Sequence, residues 1–521
     1  MDVSIVEFYA EQEGYHCGYC KSDDTNYSHG MWAHTMTVQD YQDLIDRGWR
    51  RSGMYCYKPT LDRTCCPMYT IRCAALELQL SRSQRKVLRR MNAFLCRGET
   101  RAGLCRAARR ASGMEVSYDT DVAERAATAQ AEQRSGATEV MSVDESIQRT
   151  VGPAVSNSAG AASQSAGDAS TAASTAGGSS GGRPAARPPR RKAKLLRLQR
   201  KRLRLVARGL SEEEADRRIL ARKRPGNHEG KSLEQILGEA GVPSPVHSLQ
   251  VRLVRSQPPG RELQQSLEDA HRLYCKYQLA VHGDPPDKCT LQQFTRFLVR
   301  SPLQPWEPSD GPASGYGSFH QQYWLDGRLI AVGVVDILPR CVSSVYFYYD
   351  PELSHLSLGT YASLRELEFT RALHRATPTL QYYYMGFYIH SCVKMRYKAN
   401  YRPSFLLCPE TYRWIPVERC LPLLDVSKYS RLCEDAGVCD QDGCVVLGQC
   451  AVMTARPARR VGSRADGSAW LQVVVLWKHT AMRFSVFAAK SSPGPDCLQE
   501  VEQYARLVGM TCARRMLLIR P

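Results

Sequence analysis

Apolar residues at helical spacing mark the second half of the chain. Leu267, Ala270, Tyr274, Tyr277 and Val281 recur every three or four positions and predict a helix with one buried face. Thr290 and Gln293 then form the capping-box start of a second helix carrying Leu291, Phe294 and Leu298. After this the period changes to two. "QYWLDGRLIAVGVVDILP" is two apolar runs around Asp326-Gly327, which predicts a hairpin with a two-residue turn. "SSVYFYYDP" predicts a strand stopped by Pro351, "LSLGTYASLREL" a glycine turn into a helix with Tyr361, Leu364 and Leu367 inward, and "YYYMGFYIH" at 382–390 a further strand. Hairpin, strand, glycine turn, helix, strand is a mixed α/β layout with one parallel crossover. Towards the end, "LQVVVLWKHTA" reads as a strand and "DCLQEVEQYARLVGM" as an amphipathic helix.

That element order resembles the core of the acyl-CoA N-acyltransferase-like (GNAT) fold. In that fold two parallel strands splay apart, and the helix after the first points its N-terminus at ligand phosphates. Leu358-Gly359-Thr360 stands where that turn belongs. In the strand at 382–390, Tyr382, Tyr384, Gly386, Tyr388 and His390 share one face, expected to be a ligand wall. Tyr383, Met385, Phe387 and Ile389 share the other, expected to be core. Gly386 leaves room for close approach. Lys394, Arg396 and Lys398 follow the strand's C-terminal end, where open α/β sheets bind ligands.

Composition divides the chain into expected parts at 1–98, a Cys-rich module; 99–245, a linker; 246–421, the α/β domain; and 422–521, an extension closing that domain. Residues 151–182 are almost entirely Ala, Ser, Gly and Thr, too poor in apolar surface to offset ordering entropy, and are expected to be disordered. Residues 183–208 hold 12 Lys or Arg and no acid, suited to import or to phosphate binding. The net charge of +18 favours a polyanionic partner. With no secretory signal and no apolar run of bilayer length, the 20 cysteines are expected to be reduced, in the cytosol or nucleus, and no membrane partner is expected.

Two cysteine pairs, Cys17 and Cys20 in "HCGYC" and Cys65 and Cys66 in "TCCP", suit tetrahedral zinc or an iron–sulfur cluster, the alternative being buried thiols in a Cys-rich core. Cys433, Cys439, Cys444 and Cys450 have no recognisable metal spacing. No GxSxG, HExxH, P-loop or kinase motif occurs, which points to direct transfer between two bound substrates rather than a covalent intermediate.

"CGYC", "YSHGMWAHTMTVQDYQDLIDRGWRRSG", "TCCPMYTIRC", "PPDKCTLQQFTRFL", "CVSSVYFYYDP", "LSLGTYASLRELE" and "YYYMGFYIHSCVKMRYKANYRPS" together resemble arginyl-tRNA–protein transferases over roughly residues 3–98 and 247–421. The resemblance implies transfer of arginine from arginyl-tRNA to the N-terminal amine of proteins beginning with Asp, Glu or oxidised Cys, marking them for ubiquitin-dependent degradation. It also implies an iron–sulfur cluster or zinc on Cys17, Cys20, Cys65 and Cys66. An aminoacyl ester is already activated, so no nucleotide cofactor is expected for the transfer. Asp336 and Asp350 are the acids nearest strand ends, candidates for base and for partner of the donor guanidinium. Tyr384 or His390 is expected to donate to the oxyanion, and Arg396 or Arg402 to pair with the acceptor carboxylate. Tyr348, Gly359, Thr360, Tyr382, Gly386 and Tyr388 are expected to bind substrate, as are Lys394, Tyr397 and Lys398. Two rivals stand beside this reading: an acetyltransferase using coenzyme A, and an RNA-binding protein without activity.

Overall fold

The computed structural model describes residues 3–10, 14–98, 202–207, 210, 211, 214, 230–241, 245–443 and 469–520. The expected disordered stretch at 151–182, most of the basic run at 183–208, and Cys444 and Cys450 lie outside the described residues. The N-terminal segment supplies β1 (Ile5–Tyr9), β2 (Ser28–Thr35), β3 (Arg50–Ser52), β4 (Tyr55–Pro59) and β5 (Tyr69–Ala74). Between β2 and β3 lies α1 (Val38–Ile45), capped by the Thr37 hydroxyl, which accepts from the Asp40 amide. α2 (Arg82–Arg97) opens on a full capping box made by Ser81 and Gln84.

Further on come β6 (Leu249–Arg255), α3 (Arg261–Tyr277), β7 (Gly317–Leu325), β8 (Arg328–Leu338), β9 (Cys341–Tyr349), α4 (Leu358–Ala376) and β10 (Tyr382–Tyr388). β11 (Ser404–Leu407), β12 (Trp414–Pro416), β13 (Val474–Trp477), β14 (Thr480–Arg483), α5 (Pro495–Val508) and β15 (Leu517–Arg520) follow. The predicted hairpin is β7–β8, with Asp326 and Gly327 at φ 49° and 79°, the doubly positive backbone of a type I′ turn. The helix expected at 358 is α4, and Tyr361, Leu364 and Leu367 are buried on it. The single strand expected over 471–481 is instead the hairpin β13–β14, turned at Lys478 and His479, both at positive φ.

The strands build two mixed sheets, ordered β14-β13-β15-β1-β2-β4-β3 and β12-β11-β5-β10-β9-β8-β7-β6. Neither sheet respects the boundaries expected at 98 and 421. β15 runs parallel to β1 with Leu517 opposite Ile5, and β5 is inserted between β10 and β11. The backbone groups on both edges of β5 find partners only in strands far along the chain. One continuous hydrophobic cluster accordingly includes Val6 and Leu518 together with Ile71, Val335 and Leu364. The sheets are also tied by charge: Arg51 of β3 reaches Asp336 of β8 at 2.5 and 2.8 Å, with Ser318 Oγ 2.7 Å from the same carboxylate. Residues 153–231 fall outside this body, and their described part includes a helical turn at 202–206.

Candidate active-site cleft

β9 and β10 pair in parallel only where Cys341–Ser343 face Tyr382–Tyr384. Beyond that point the two strands part and leave a cleft of about 350 Å³. Ser344, Tyr346 and Phe347 of β9 line it, as do Tyr383, Met385, Gly386 and Phe387 of β10. Gly359 and Ser363 enter from the first turns of α4, and Lys394, Tyr397 and Lys398 from the segment after β10. Arg50, Arg51, Tyr19 and Tyr57 contribute from the N-terminal segment, and Tyr277 and His282 from the end of α3 and the turn after it. Among the described residues no Asp or Glu lines this cleft, so its wall combines cations with aromatic rings.

Gly386 sits at φ 74°, a conformation glycine adopts without a steric penalty. A Cβ there would stand 3.4 Å from Arg50 Nη2 and 3.7 Å from Lys398 Nζ. Arg50 is aimed by the Ser344 carbonyl, to which its Nη2 donates at 2.9 Å, and Lys398 Nζ donates to the Phe387 carbonyl at 2.8 Å. The result is a notch with two anchored cations at its edge, suited to a carboxylate or phosphate oxygen.

Behind the cleft wall lies an acid that the sequence reading missed. Glu366 of α4 is 2% exposed, and the Tyr383 hydroxyl donates to its Oε2 at 2.5 Å. Burial pushes this carboxyl up from 4.5 to about 7, against hydrogen bonds from Tyr383 and Ser344 that favour the charged form. Both hydrogen-bonding residues line the cleft, so the carboxylate stands one side chain behind it. The available signal was an acid inside a buried i, i+4 stripe, between Ala362 and Thr370. Arg50, also missed, lay in the quoted "WRRSG".

Of the residues singled out from sequence, the structure gathers Gly359, Gly386, Lys394, Tyr397 and Lys398 in the cleft. Thr360 follows Gly359 on the first turn of α4 and is not among the residues lining the cleft. The faces expected for the strand at 382–390 are exchanged: Tyr383, Met385 and Phe387, expected in the core, line the cleft, and of the expected wall only Gly386 does. Tyr383 faces the cleft, whereas Tyr384 is fully buried on the other side, donating to Asp46 and set edge-on to Trp414. Tyr382 lies under the Arg72 guanidinium, 3.7 Å from its ring centroid. The strand is covered on both sides, so alternation alone could not say which face is the wall. The register of β10 against β5 shifts between Tyr384 and Phe387, around Gly386.

The remaining candidates stand outside the cleft lining. Tyr388 and His390 bond to each other at 2.8 Å, and His390 Nε2 meets Asp425 at 2.8 Å. Arg396 bonds to Tyr388, and Arg402 Nε pairs with Glu418 at 3.3 Å. Tyr348 packs among Tyr274 and Phe294 beneath α3. Asp336 is wholly buried against Arg51. Asp350 lines a different depression, held by Lys276 at 2.7 Å and Arg328 at 3.2 Å. Acids near strand ends looked available in the sequence because their cationic partners come from distant segments.

The Sγ atoms of Cys17, Cys20, Cys65 and Cys66 all lie within 4.8 Å of one another. A tetrahedral ion about 2.3 Å from each thiolate sets sulfurs about 3.8 Å apart, so this donor set fits one ion. Every cysteine among the described residues is free. Cys17 and Cys66 share a hydrophobic cluster with Phe387 and Met395 of the cleft, and Tyr19, between two of the thiols, lines it too. No helix among the described residues is long and apolar enough to cross a membrane.

Two family models match the chain: "Arginine-tRNA-protein transferase, N terminus" over residues 15–86 and "Arginine-tRNA-protein transferase, C terminus" over residues 269–408. A Drosophila melanogaster protein, arginyl-tRNA–protein transferase 1, is 39% identical over 527 residues, covering 100% of both chains. Arginyl-tRNA–protein transferase 2 of Arabidopsis thaliana is 37% identical over 80% of this chain and 76% of its own. A bacterial aspartate/glutamate leucyltransferase from Stutzerimonas stutzeri is 38% identical over 28% of this chain and 55% of its own.

Proposed function

The chain belongs to the arginyl-tRNA–protein transferase family and is a transferase that moves arginine from tRNA to proteins, and from that premise we propose which proteins it accepts and how its cleft works. Membership removes both rivals, the coenzyme A acetyltransferase and the inactive RNA binder. The acceptors begin with Asp, Glu or oxidised Cys, and their side-chain acid sits in the notch at Gly386 between Arg50 and Lys398. That notch, in a cleft lined by no acid among the described residues, is the observation that carries the reading. Arg50 and Lys398 take the part expected of Arg396 or Arg402. The donor guanidinium, with no carboxylate in the lining, lies on the faces of rings such as Tyr346 and Phe347 rather than against Asp336 or Asp350.

The chemistry needs little else. The acceptor amine, with an ordinary pKa near 7.7–8.0, is partly neutral at pH 7 and attacks the ester carbonyl. The new C–N bond forms as the ester C–O bond breaks. The ammonium proton passes to Tyr383, whose own proton moves to Glu366, and the same pair returns a proton to the departing ribose oxygen. Because the ester is already activated, no nucleotide is consumed. The four clustered thiols would hold zinc or an iron–sulfur cluster, and such a group would tie the 17–20 turn to the 65–66 turn beside Tyr19. Sulfurs gathered this closely support a single ion. The product enters ubiquitin-dependent degradation, and the enzyme works in cytosol and nucleus, where its thiols stay reduced.

The test is transfer of labelled arginine from tRNA to peptides beginning with Asp, Glu or Gly, with wild type and Lys398→Met. Label in the Asp and Glu peptides alone, with KM for them raised about tenfold or more in Lys398→Met, is expected. Equal labelling of the Gly peptide would refute the acceptor rule, and an unchanged KM would refute the notch.

A further inference from the structure

α2 carries a run of charge of one sign. Its sixteen residues include Arg82, Arg85, Lys86, Arg89, Arg90 and Arg97 and no acid. Arg82, Lys86 and Arg89 fall at i, i+4 and i+7, share one exposed face, and make no ion pair among the described residues. A helix face usually interleaves acids with bases, and like charges at i, i+4 cost a few tenths of a kcal/mol. The opposite face is ordinary core, with Val87, Leu88, Met91 and Phe94 buried.

The position of this helix gives the stripe its meaning. Gln84 Nε2 donates to the Asn400 carbonyl at 3.5 Å, which sets the first turns of α2 against the segment bearing Tyr397 and Lys398. Two turns later Arg90 Nη1 donates to the His355 carbonyl at 2.5 Å and to Ser357 Oγ at 3.1 Å, immediately before Gly359. Each end of the stripe therefore touches a segment that supplies the cleft wall. Before Asn400, in the same segment, Lys394 and Arg396 are also exposed.

We propose that the exposed face of α2 is a docking surface for the phosphodiester backbone near the aminoacylated end of the donor tRNA, guiding its ester into the adjoining cleft. This rests on the reading that arginyl-tRNA is the donor. An ester can reach the cleft only if the nucleotides before it cross the rim, and each crossing nucleotide carries a phosphate. From Arg82 to Arg89 the stripe extends about 10 Å along the helix, enough for two or three successive phosphates. An acidic protein would also meet the charge, but a regular cationic row at a cleft rim matches the regular spacing of a nucleic-acid strand.

The experiment uses the full chain as wild type, as the triple variant Arg82→Ala, Lys86→Ala, Arg89→Ala, and as the charge-keeping variant Arg82→Lys, Arg89→Lys. Deacylated tRNA is titrated by fluorescence anisotropy from about 50 to 200 mM salt. The expected result is a slope of log affinity against log salt that is shallower by about 2 to 3 in the triple variant, with affinity at 100 mM salt lower by about tenfold or more. The charge-keeping variant should retain the wild-type slope, which separates lost charge from a damaged helix. KM for arginyl-tRNA should rise while KM for an Asp peptide does not. A triple variant with the wild-type slope overturns the proposal, as does a rise confined to KM for a protein acceptor, which would make the face a protein-docking surface. Failure of the donor reading looks different: the wild type itself would transfer no arginine from tRNA.

Discussion

Replacing Glu366 with Gln gives a sharp test, because the variant keeps the shape of the side chain and removes only its titration. The carboxyl is raised from 4.5 to about 7 by burial, so the folded state favours the protonated form. At 1.36 kcal/mol per tenfold change in proton affinity, this is worth about 3 kcal/mol. The unfolded chain ionises near 4.5 and the folded chain near 7. Wild-type stability from this group is therefore fully present below 4.5, falls as pH rises towards 7, and is level above it. The groups facing Glu366 do not titrate in this window: Tyr323, Tyr383, Tyr397 and Tyr401 all have phenols raised above 10. Glu366→Gln should thus gain roughly 2–3 kcal/mol relative to wild type between pH 5 and pH 8, whatever its absolute stability. Urea unfolding at the two pH values reads that difference directly. The pH profile of kcat/KM should meanwhile lose a limb near 7 and keep the one set by the acceptor amine. Parallel stability curves would refute the raised carboxyl, and an unchanged rate profile would refute its part in proton transfer.

Three further outcomes are expected. Gly386→Ala must hold an alanine at φ 74° and places a methyl beside Arg50 and Lys398, so it should lose about 1–2 kcal/mol in urea unfolding and raise KM for Asp-peptides. Asp336→Asn leaves the Arg51 guanidinium buried without its counter-charge and should cost about 3–5 kcal/mol, whereas the double variant Arg51→Met, Asp336→Leu should recover much of that; a double variant as unstable as the single would show that the charge was not the cause. Protein purified without oxygen should contain bound metal by elemental analysis, about one zinc for a single ion or about two to four irons for a cluster, lost in Cys17→Ser; an equal content in the two proteins would show that this thiol is not a ligand.

Elements declared by their own residues were legible. Asp326-Gly327 demands a doubly positive φ and formed the expected turn, and Thr290 with Gln293 capped its helix as read. The Lys478-His479 turn was not legible, because neither residue favours the backbone it adopts. Face assignment in β10 failed for a different reason: a strand buried on both sides carries no polar side to orient it. The cleft was legible in part. The glycines and lysines close to β10 and α4 could be located from local pattern, whereas Arg50, Tyr19 and Tyr57 reach it from the N-terminal segment. Glu366 could be found only by asking why an acid falls on the inward stripe of a helix, and Asp336 could be set aside only by seeing Arg51 beside it.

The interleaving of the sheets also governs how the chain can be made. Arg72 on β5 and its ladder neighbour Tyr384 on β10 are 312 residues apart, and β1 waits longer still for β15. At about 5–20 residues per second, a ribosome needs roughly 15 to 60 s to deliver β10 after β5 has emerged. For that time β5 is a short apolar strand with both edges open, the kind of segment that pairs with a wrong neighbour unless something shields it. Folding of this enzyme is therefore largely post-translational: a chain interrupted before Trp414 would leave both sheets short of a partner, and one interrupted before Leu517 would still leave β1 without β15.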